Sequence, residues 1–216
     1  MAFALPHRAD RRRILAGLAG LALPGGALAA GRARVVTILG DSITAGYGLK
    51  AGEAVPAQLQ AALARLGSRA IVRGAGVSGD TTAAGSARAD FSVQADTDVC
   101  VVALGGNDLL QGLDPVAMRA NLKRILDRLK GRRIGAVLCG IKAPKSLNAG
   151  YARDFNAVFP ALAREEGAPL YPDLLAGVAL TAGLNQRDGI HPNAVGVRII
   201  ARGLAPVVAR ALNARR

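Results

Sequence analysis

Residues 35–42 have the sequence Val-Val-Thr-Ile-Leu-Gly-Asp-Ser, an apolar run that ends in a glycine and two polar residues. Short apolar runs rich in β-branched side chains predict buried β-strands. The same pattern recurs along the chain. Strands are expected at 35–39, 70–72, 99–104, 134–139 and 170–171.

Helical patterns separate these strands. Pro56 begins one helix that Gly67 ends, and Asp114 caps another that begins at Pro115 and runs to Lys130. Further helices are expected over 82–91, over 151–166 and from about Asn193 onward. Pro206 is expected to kink or split the last of these. The alternation predicts an α/β protein, a three-layer α/β/α sandwich around a central five-stranded parallel sheet with both faces covered.

Polar, glycine-rich segments follow the first three predicted strands. They are Gly40-Asp41-Ser42, Gly76-Val77-Ser78-Gly79-Asp80 and Gly105-Gly106-Asn107-Asp108. Ligands of parallel α/β sheets bind beyond the carboxyl ends of the strands, so these segments are expected to converge. A fourth segment, Asp188-Gly189-Ile190-His191-Pro192, precedes the last helix. It does not follow a predicted strand, so its position relative to the sheet edge stays open.

The first thirty residues have the pattern of an export signal. Arginines at 8 and 11–13 precede an apolar stretch over 14–23, and Ala27-Leu28-Ala29 supplies a small-residue cleavage site. Residues 1–29 are therefore predicted to be a signal peptide, residues 30–216 a single catalytic domain, and the protein periplasmic or secreted. Asp10–Leu15 resembles a twin-arginine signal, with an ordinary Sec signal as the alternative.

The predicted leader changes the charge and histidine content. The chain has 28 basic and 15 acidic residues, of which the leader holds four and one, so residues 30–216 carry 24 and 14, a net charge of +10. Of the two histidines, His7 lies in the leader and His191 in the domain. A serine nucleophile needs a base, and His191 is the one imidazole that the domain offers.

Ser42, His191 and Asp188 form the candidate catalytic set. Asp188 lies three residues before His191, close enough to accept a hydrogen bond from Nδ1 and fix the tautomer. Backbone N–H groups of Ser42 and Gly79 and the side-chain amide of Asn107 are candidate oxyanion donors. Taken singly, each residue fits a helix cap or a turn. Asp41, Asp80 and Asp108 are interpreted as caps or loop hydrogen-bonding groups without a catalytic role.

Composition excludes other functions. Aromatic residues make up 3% of the chain and Trp is absent, which argues against a base-stacking surface for nucleic acid. The two cysteines and two histidines form no CxxC or HExxH motif, so these groups are not expected to bind a metal. Cys100 and Cys139 lie in apolar runs and are interpreted as small buried side chains, with a disulfide as the alternative. The basic surface predicts weak association with anionic membranes.

The motif segments resemble a known family. Gly40-Asp41-Ser42-Ile43, Gly79, Asn107 and Asp188–Pro192 are similar, in this order, to the four blocks of the SGNH hydrolases, also called GDSL-type esterases and lipases. The resemblance implies a flavodoxin-like SGNH-hydrolase fold, a triad of Ser42, Asp188 and His191, and an oxyanion hole from Ser42, Gly79 and Asn107. It implies a serine esterase that acts on small esters or lipids through an acyl-enzyme, without a metal or a cofactor. The protein is separately expected to be a monomer.

One branch of that family is especially similar. Ile38–Ser42, Ser78–Thr81 and Leu104–Asp108 resemble exported bacterial arylesterases and multifunctional thioesterase–lysophospholipases. Asn148-Ala149-Gly150-Tyr151 departs from the Asn-Tyr-Gly of that branch, so the choice among aryl esters, short-chain esters, thioesters and lysophospholipids stays open. The resemblance places a mobile loop at Leu109–Leu113.

A dinucleotide-binding protein is the alternative from another class. Gly74, Gly76 and Gly79 match G-x-G-x-x-G after a predicted strand. The match follows the second strand rather than the first, and it leaves Ser42, Asn107 and the Asp188–His191 pair unexplained.

Overall fold

The predicted first strand lies inside a five-stranded sheet. In a computed structural model, which describes residues 1–2, 32–144 and 146–215, β1 (Arg34–Gly40) pairs with β2 (Ala70–Gly76) and β3 (Val99–Ala103). β4 (Gly135–Cys139) and β5 (Leu170–Tyr171) extend the sheet to the order β2-β1-β3-β4-β5, with every neighbouring pair parallel. This is the flavodoxin-like strand order, so the predicted fold is confirmed.

Helices cover both faces of this sheet, and Ala33–Arg216 forms one compact unit. The helices are α1 (Ser42–Ala45), α2 (Val55–Arg65), α3 (Thr82–Ser92), α4 (Gly106–Leu110), α5 (Pro115–Gly131), α6 (Ala149–Glu166) and α7 (Ala194–Asn213). A 3-10 turn at Ala51–Glu53 precedes α2. α2 packs against α7 on one face, whereas α3 contacts α5 and α5 contacts α6 on the other.

The strands differ in burial according to their place in the sheet. β3 is buried throughout and β1 is buried from Val35 onward, as expected for covered central strands. β2 is only partly buried and continues four residues beyond the predicted end at Val72. The expectation of uniformly covered apolar strands is therefore wrong for this strand. It lies at the edge, where pairing with β1 stabilises residues that have little apolar character.

Helix ends follow the predicted caps. The Asp114 side chain accepts a hydrogen bond from the backbone N–H of Val116 at the start of α5. Asn193 caps α7 in the same way. α7 runs through Pro206 as one helix, so the expected split does not occur. Its buried face on both sides of the proline includes Leu204 and Val208, and this packing offsets the lost hydrogen bond.

The carboxyl ends of β1, β2 and β3 lie side by side at one edge of the sheet. Gly40 pairs with Gly76 on one side and with Ala103 on the other. The segments that follow these residues therefore leave the sheet at one edge, around the point where the strand order reverses. This is the edge at which the candidate site residues were expected to meet.

Other sequence predictions concern the cysteines and the leader. Cys100 and Cys139 are buried and unpaired, which agrees with their interpretation as small core residues and not with a disulfide. The register places Cys100 opposite Ala136 rather than Cys139. The predicted signal peptide lies almost entirely outside the described residues. Within the described part of the chain, no helix is long and apolar enough to cross a membrane.

Candidate active site

Ser42 begins a helix directly beyond the end of β1. The Asp41 side chain accepts a hydrogen bond from the backbone N–H of Ile43 at 3.0 Å, so it caps α1 as predicted. The cap turns the chain sharply after Gly40. It thereby places Ser42 at the first turn of α1, at the carboxyl edge of the sheet.

Ser42, His191 and Asp188 form a hydrogen-bonded chain. Ser42 Oγ lies 2.9 Å from His191 Nε2, and His191 Nδ1 lies 2.6 Å from Asp188 Oδ2. The other carboxylate oxygen of Asp188 accepts the backbone N–H groups of Ile190 and His191. Hydrogen bonds from His191, first from its backbone and then from its ring, lower the pKa of Asp188 to about 2. An ionised Asp188 favours a proton on Nδ1, which leaves the Nε2 lone pair directed at the serine hydroxyl.

The loop that carries His191 is hydrogen-bonded to the loop that follows α1. Gln186 donates its backbone N–H to the carbonyl of His191 at 2.8 Å. Its side-chain amide donates to the carbonyls of Tyr47 at 2.7 Å and Pro192 at 3.1 Å. The Tyr47 ring packs against the His191 ring with centroids 4.6 Å apart. Gln186 and Tyr47 thus orient the imidazole, and the sequence predictions did not include either residue.

The predicted oxyanion donors lie on the same edge. Gly79 occupies the turn after β2 with φ +88°, a left-handed conformation that side chains disfavour. Asn107 lies in α4, and its Nδ2 donates to the carbonyl of Asp80 at 2.9 Å. Both residues line the same cavity as Ser42 and His191. The structure therefore brings together all the site residues predicted from the sequence.

Asp108 anchors the short helix that carries Asn107. Its buried carboxylate accepts the backbone N–H of Thr82 at 2.8 Å and the Thr82 hydroxyl at 2.6 Å. The Asn121 amide donates to the same hydroxyl at 3.1 Å. This network ties α4 to the start of α3, in agreement with the predicted hydrogen-bonding role of Asp108.

A mostly apolar cavity of about 490 Å³ adjoins the hydrogen-bonded chain. Ser42, Gly79, Asn107 and His191 form its polar side. Its apolar walls include Ile43, Leu109, Leu110, Ile141, Leu175, Leu180 and Ile190. The volume falls in the range of cavities that hold small-molecule ligands. Among the described residues, no group of three or more His, Cys, Asp or Glu side chains is placed to hold a metal ion.

The sequence profile of the GDSL-like lipase/acylhydrolase family matches residues 38–199, from within β1 into α7. The chain belongs to this family. It is therefore a hydrolase, and the GDSL motif itself corresponds to the turn from β1 into α1.

Several members of the GDSL family are similar to this chain over most of their length. Thioesterase 1/protease 1/lysophospholipase L1 of Escherichia coli is 36% identical over 177 residues, which are 82% of this chain and 84% of the relative. Esterase TesA of Pseudomonas aeruginosa is 36% identical over 161 residues, 74% and 80% of the two chains. The crystal structure of AlinE4, an SGNH-hydrolase family esterase, superposes with a TM-score of 0.70 at 45% identity, covering 84% of this chain and 97% of AlinE4.

The G-x-G-x-x-G motif that suggested dinucleotide binding does not form a strand-to-helix turn in this structure. Gly74 and Gly76 lie inside β2 rather than in a turn between a strand and a helix. A Cβ atom at Gly76 would lie 2.4 Å from the backbone nitrogen of Ala45, so this glycine serves the contact between β2 and α1. The motif therefore does not form a phosphate-binding turn, and dinucleotide binding is not supported.

Proposed function

We propose that this GDSL-family hydrolase cleaves carboxylic esters through an acyl-enzyme on Ser42. The observation that carries the proposal is the continuous hydrogen-bonded chain from Ser42 Oγ through His191 to Asp188, beside the apolar cavity. A serine hydroxyl with an imidazole nitrogen at 2.9 Å is positioned for nucleophilic catalysis.

The reaction proceeds in two half-reactions. Ser42 Oγ attacks the ester carbonyl while His191 Nε2 takes its proton. The tetrahedral intermediate collapses, the bond to the leaving alcohol breaks, and the imidazolium returns the proton to that alcohol. Water then attacks the acyl-serine while His191 Nε2 takes its proton. The second tetrahedral intermediate collapses, the bond to Ser42 Oγ breaks, and the imidazolium returns the proton to Ser42 Oγ as the carboxylic acid is released. Asp188 stabilises the imidazolium in both halves.

The developing oxyanion is bound by the backbone N–H groups of Ser42 and Gly79 and by the Asn107 amide. An amide nitrogen carries two hydrogens. One hydrogen of Asn107 Nδ2 is donated to the Asp80 carbonyl, which fixes the orientation of the group. The second hydrogen is free to bind the oxyanion.

The cavity walls support a preference for esters with an apolar acyl chain. Leu109, Ile141 and Leu180 provide an apolar surface for the acyl chain of an ester. We favour aryl and short-to-medium acyl esters, with lysophospholipids and acyl-thioesters as further candidates that the names of the relatives suggest. Initial rates on p-nitrophenyl esters of increasing chain length, beside a lysophospholipid and an acyl-thioester, would rank these classes.

Labelling with a fluorophosphonate probe tests the mechanism. The wild-type protein should be labelled at Ser42, and Ser42→Ala should show no labelling. His191→Ala should be labelled far more slowly, because the hydroxyl then lacks its base. Full labelling of Ser42→Ala would show that another residue is the nucleophile.

We further propose that residues 1–29 are a signal peptide that precedes a catalytic domain of residues 30–216, and that the mature protein is an exported monomer. Expression of the full chain in a bacterial host, followed by N-terminal sequencing of the periplasmic fraction, tests the cleavage after Ala29. Sedimentation equilibrium of residues 30–216 tests the monomer. Full-length protein recovered only from the cytoplasm would contradict export.

We also propose that the protein associates weakly with anionic membranes. The support is the set of exposed apolar and cationic side chains around the opening of the cavity. Exposed apolar side chains there are Tyr47, Leu110, Leu180 and Ile190. Exposed cations on the neighbouring loops are Lys50, Lys142 and Arg187. An apolar patch flanked by cations favours a surface of anionic headgroups.

Vesicle cosedimentation tests this association. Binding to phosphatidylglycerol vesicles should exceed binding to phosphatidylcholine vesicles and should fall with added salt. The double variant Leu110→Ser, Leu180→Ser should bind less. The control Leu66→Ser, Val116→Ser, which removes exposed apolar side chains away from the cavity, should bind like the wild type. Equal binding to both lipids would contradict the proposal.

A further inference from the structure

The guanidinium group of Arg88 makes hydrogen bonds next to the segments that form the candidate oxyanion site. Arg88 is in α3, and its side chain is 19% exposed. Nη2 donates to the carbonyl of Gly40 at 2.8 Å, and Nη1 donates to the carbonyl of Ala75 at 2.9 Å and to the Ser92 hydroxyl at 3.0 Å. Nε donates to Asp80 Oδ2 at 2.5 Å. One side chain therefore joins the ends of two strands and the turn that follows the second.

These acceptors belong to the segments that carry the oxyanion donors. Gly40 ends β1 two residues before Ser42. Asp80 directly follows Gly79 in the turn after β2. The backbone carbonyl of the same Asp80 accepts the hydrogen bond from Asn107 Nδ2. Ser42 and Gly79 therefore lie within two residues of a group that Arg88 binds, and Asn107 is hydrogen-bonded to one of the residues that Arg88 binds.

We propose that Arg88 is a positioning residue for hydrolysis, which fixes the mutual placement of the Ser42, Gly79 and Asn107 donors. This inference rests on the proposed function, since it concerns the same oxyanion hole. Oxyanion donors act because they are fixed before the reaction, and a displacement of about 1 Å costs about 100-fold in rate.

The chemistry of the side chain fits this role. Arg88 donates from three different nitrogens in one plane, toward acceptors that come from separate chain segments. The rigid fork of a guanidinium makes this possible, whereas the single ammonium of lysine cannot reach all three acceptors in the same geometry. The Asp80 side chain is 11% exposed, so the ion pair is largely shielded from water and holds the turn firmly.

Steady-state kinetics of Arg88→Lys test the proposal, because lysine keeps the charge and loses the fork. We expect kcat to fall about 10- to 100-fold with KM within about threefold of the wild type. Arg73→Met is the matched control, since it removes another ion-paired arginine of the same region, from β2. It should leave kcat within about twofold. All assays are run well below the melting temperature of each variant.

A double-mutant cycle separates positioning from a merely structural role. If Arg88 acts through the oxyanion hole, Arg88→Lys should reduce kcat much less in an Asn107→Ala background than in the wild type. Fully additive losses would overturn the proposal, as would wild-type kcat in Arg88→Lys. If Arg88→Lys fails to fold, Asp80→Asn replaces it in the cycle with the same expected outcome.

Different results would contradict the Ser42 mechanism and the positioning role of Arg88. Fluorophosphonate labelling of Ser42→Ala contradicts the proposed function itself. Labelling confined to Ser42, together with unchanged kcat in Arg88→Lys, contradicts only the positioning role.

Discussion

A buried carboxyl group lies directly beside Ser42. Asp41 is 4% exposed, and burial raises its pKa to about 6, against the opposing effect of the hydrogen bond from Ile43. Asp41 also lines the cavity. At neutral pH this residue is therefore a buried anion that caps α1 at a cost in stability, because the folded state prefers its protonated form.

Asp41→Asn should make the protein relatively more stable at high pH. A raised pKa contributes stability that is fully present below about pH 3.8 and is lost as the pH rises through about 6. Asparagine keeps a capping oxygen and carries no charge. The free energy of unfolding of the variant, minus that of the wild type, should increase between pH 4 and pH 8 by up to about 3 kcal/mol. Urea unfolding at the two pH values measures this difference, and a pH-independent difference would contradict the raised pKa.

Asn107→Ala should lower kcat by about 100- to 1000-fold with little change in KM. Loss of one oxyanion donor has this magnitude when the group acts only in the transition state. Asn107→Asp is a second test variant, because aspartate has nearly the size of asparagine but carries a negative charge in place of the N–H donor. Steady-state kinetics on p-nitrophenyl esters provide both constants. An effect confined to KM would mean that Asn107 binds the ground state instead.

At this scale the sequence predicted the residues with distinctive chemistry. His191 was found because the predicted domain holds one histidine, and Ser42 and Asn107 were found because they follow strand ends. Arg88 and Gln186 were missed. Their partners are mostly backbone carbonyls, such as those of Gly40 and Tyr47, and the sequence carries no signal for a carbonyl acceptor.

At the scale of elements, the contact between β2 and α1 determines where Ser42 lies. A Cβ atom at Gly76 would lie 2.4 Å from the Ala45 nitrogen and 2.6 Å from the Asp41 carbonyl oxygen. Backbone atoms cannot move aside as side chains can. Gly79 differs, because a Cβ atom there meets no atom within 4 Å, and only its positive φ disfavours substitution.

The variants Gly76→Ala and Gly79→Ala should therefore behave differently. Gly76→Ala forces β2 and α1 apart and should destabilise the fold by 2 kcal/mol or more, on the order of an overpacked core. Gly79→Ala should cost only about 1 kcal/mol, the strain of a left-handed alanine. It should lower kcat because the strain displaces an oxyanion N–H. Thermal unfolding and kinetics on both variants test this, and equal losses of stability would contradict it.

The short helices were the elements that the sequence did not predict. Helical periodicity needs several turns to become visible, and α1 and α4 have four and five residues. Both helices are stabilised by capping side chains or tertiary contacts, such as the Asp41 cap and the Asp108–Thr82 pair. The longer helices α2, α5 and α6 were predicted to within about two residues at each end.

At the scale of the whole molecule, alternation predicted the fold class but not the position of the fourth motif. The pattern placed three motif segments at one sheet edge because parallel strands end together. Asp188 and His191 follow the two-residue strand β5 and a long segment with no predicted element. Their approach to Ser42 depends on contacts across the molecule, including the Gln186–Tyr47 hydrogen bond, which no local pattern contains.

The two cysteines should report the global opening of the molecule. Cys100 and Cys139 lie on β3 and β4, strands with a neighbour on each side, and both side chains are fully buried. Burial raises the pKa of Cys100 to about 12 and that of Cys139 still further above its usual range. The thiolate is the form that attacks a disulfide reagent, so neither residue should react while the sheet is intact.

Labelling with an aromatic disulfide at pH 8 should therefore be slow without denaturant and should accelerate with urea in parallel with global unfolding. Mass spectrometry should show molecules with no label or with two. Because the thiols are unpaired, a reductant should leave the melting temperature unchanged. Molecules labelled only at Cys139 in the absence of urea would contradict this, since they would show β4 opening locally beside the short strand β5 while the rest of the sheet stays closed. Cys100→Ala and Cys139→Ala variants assign the single labels.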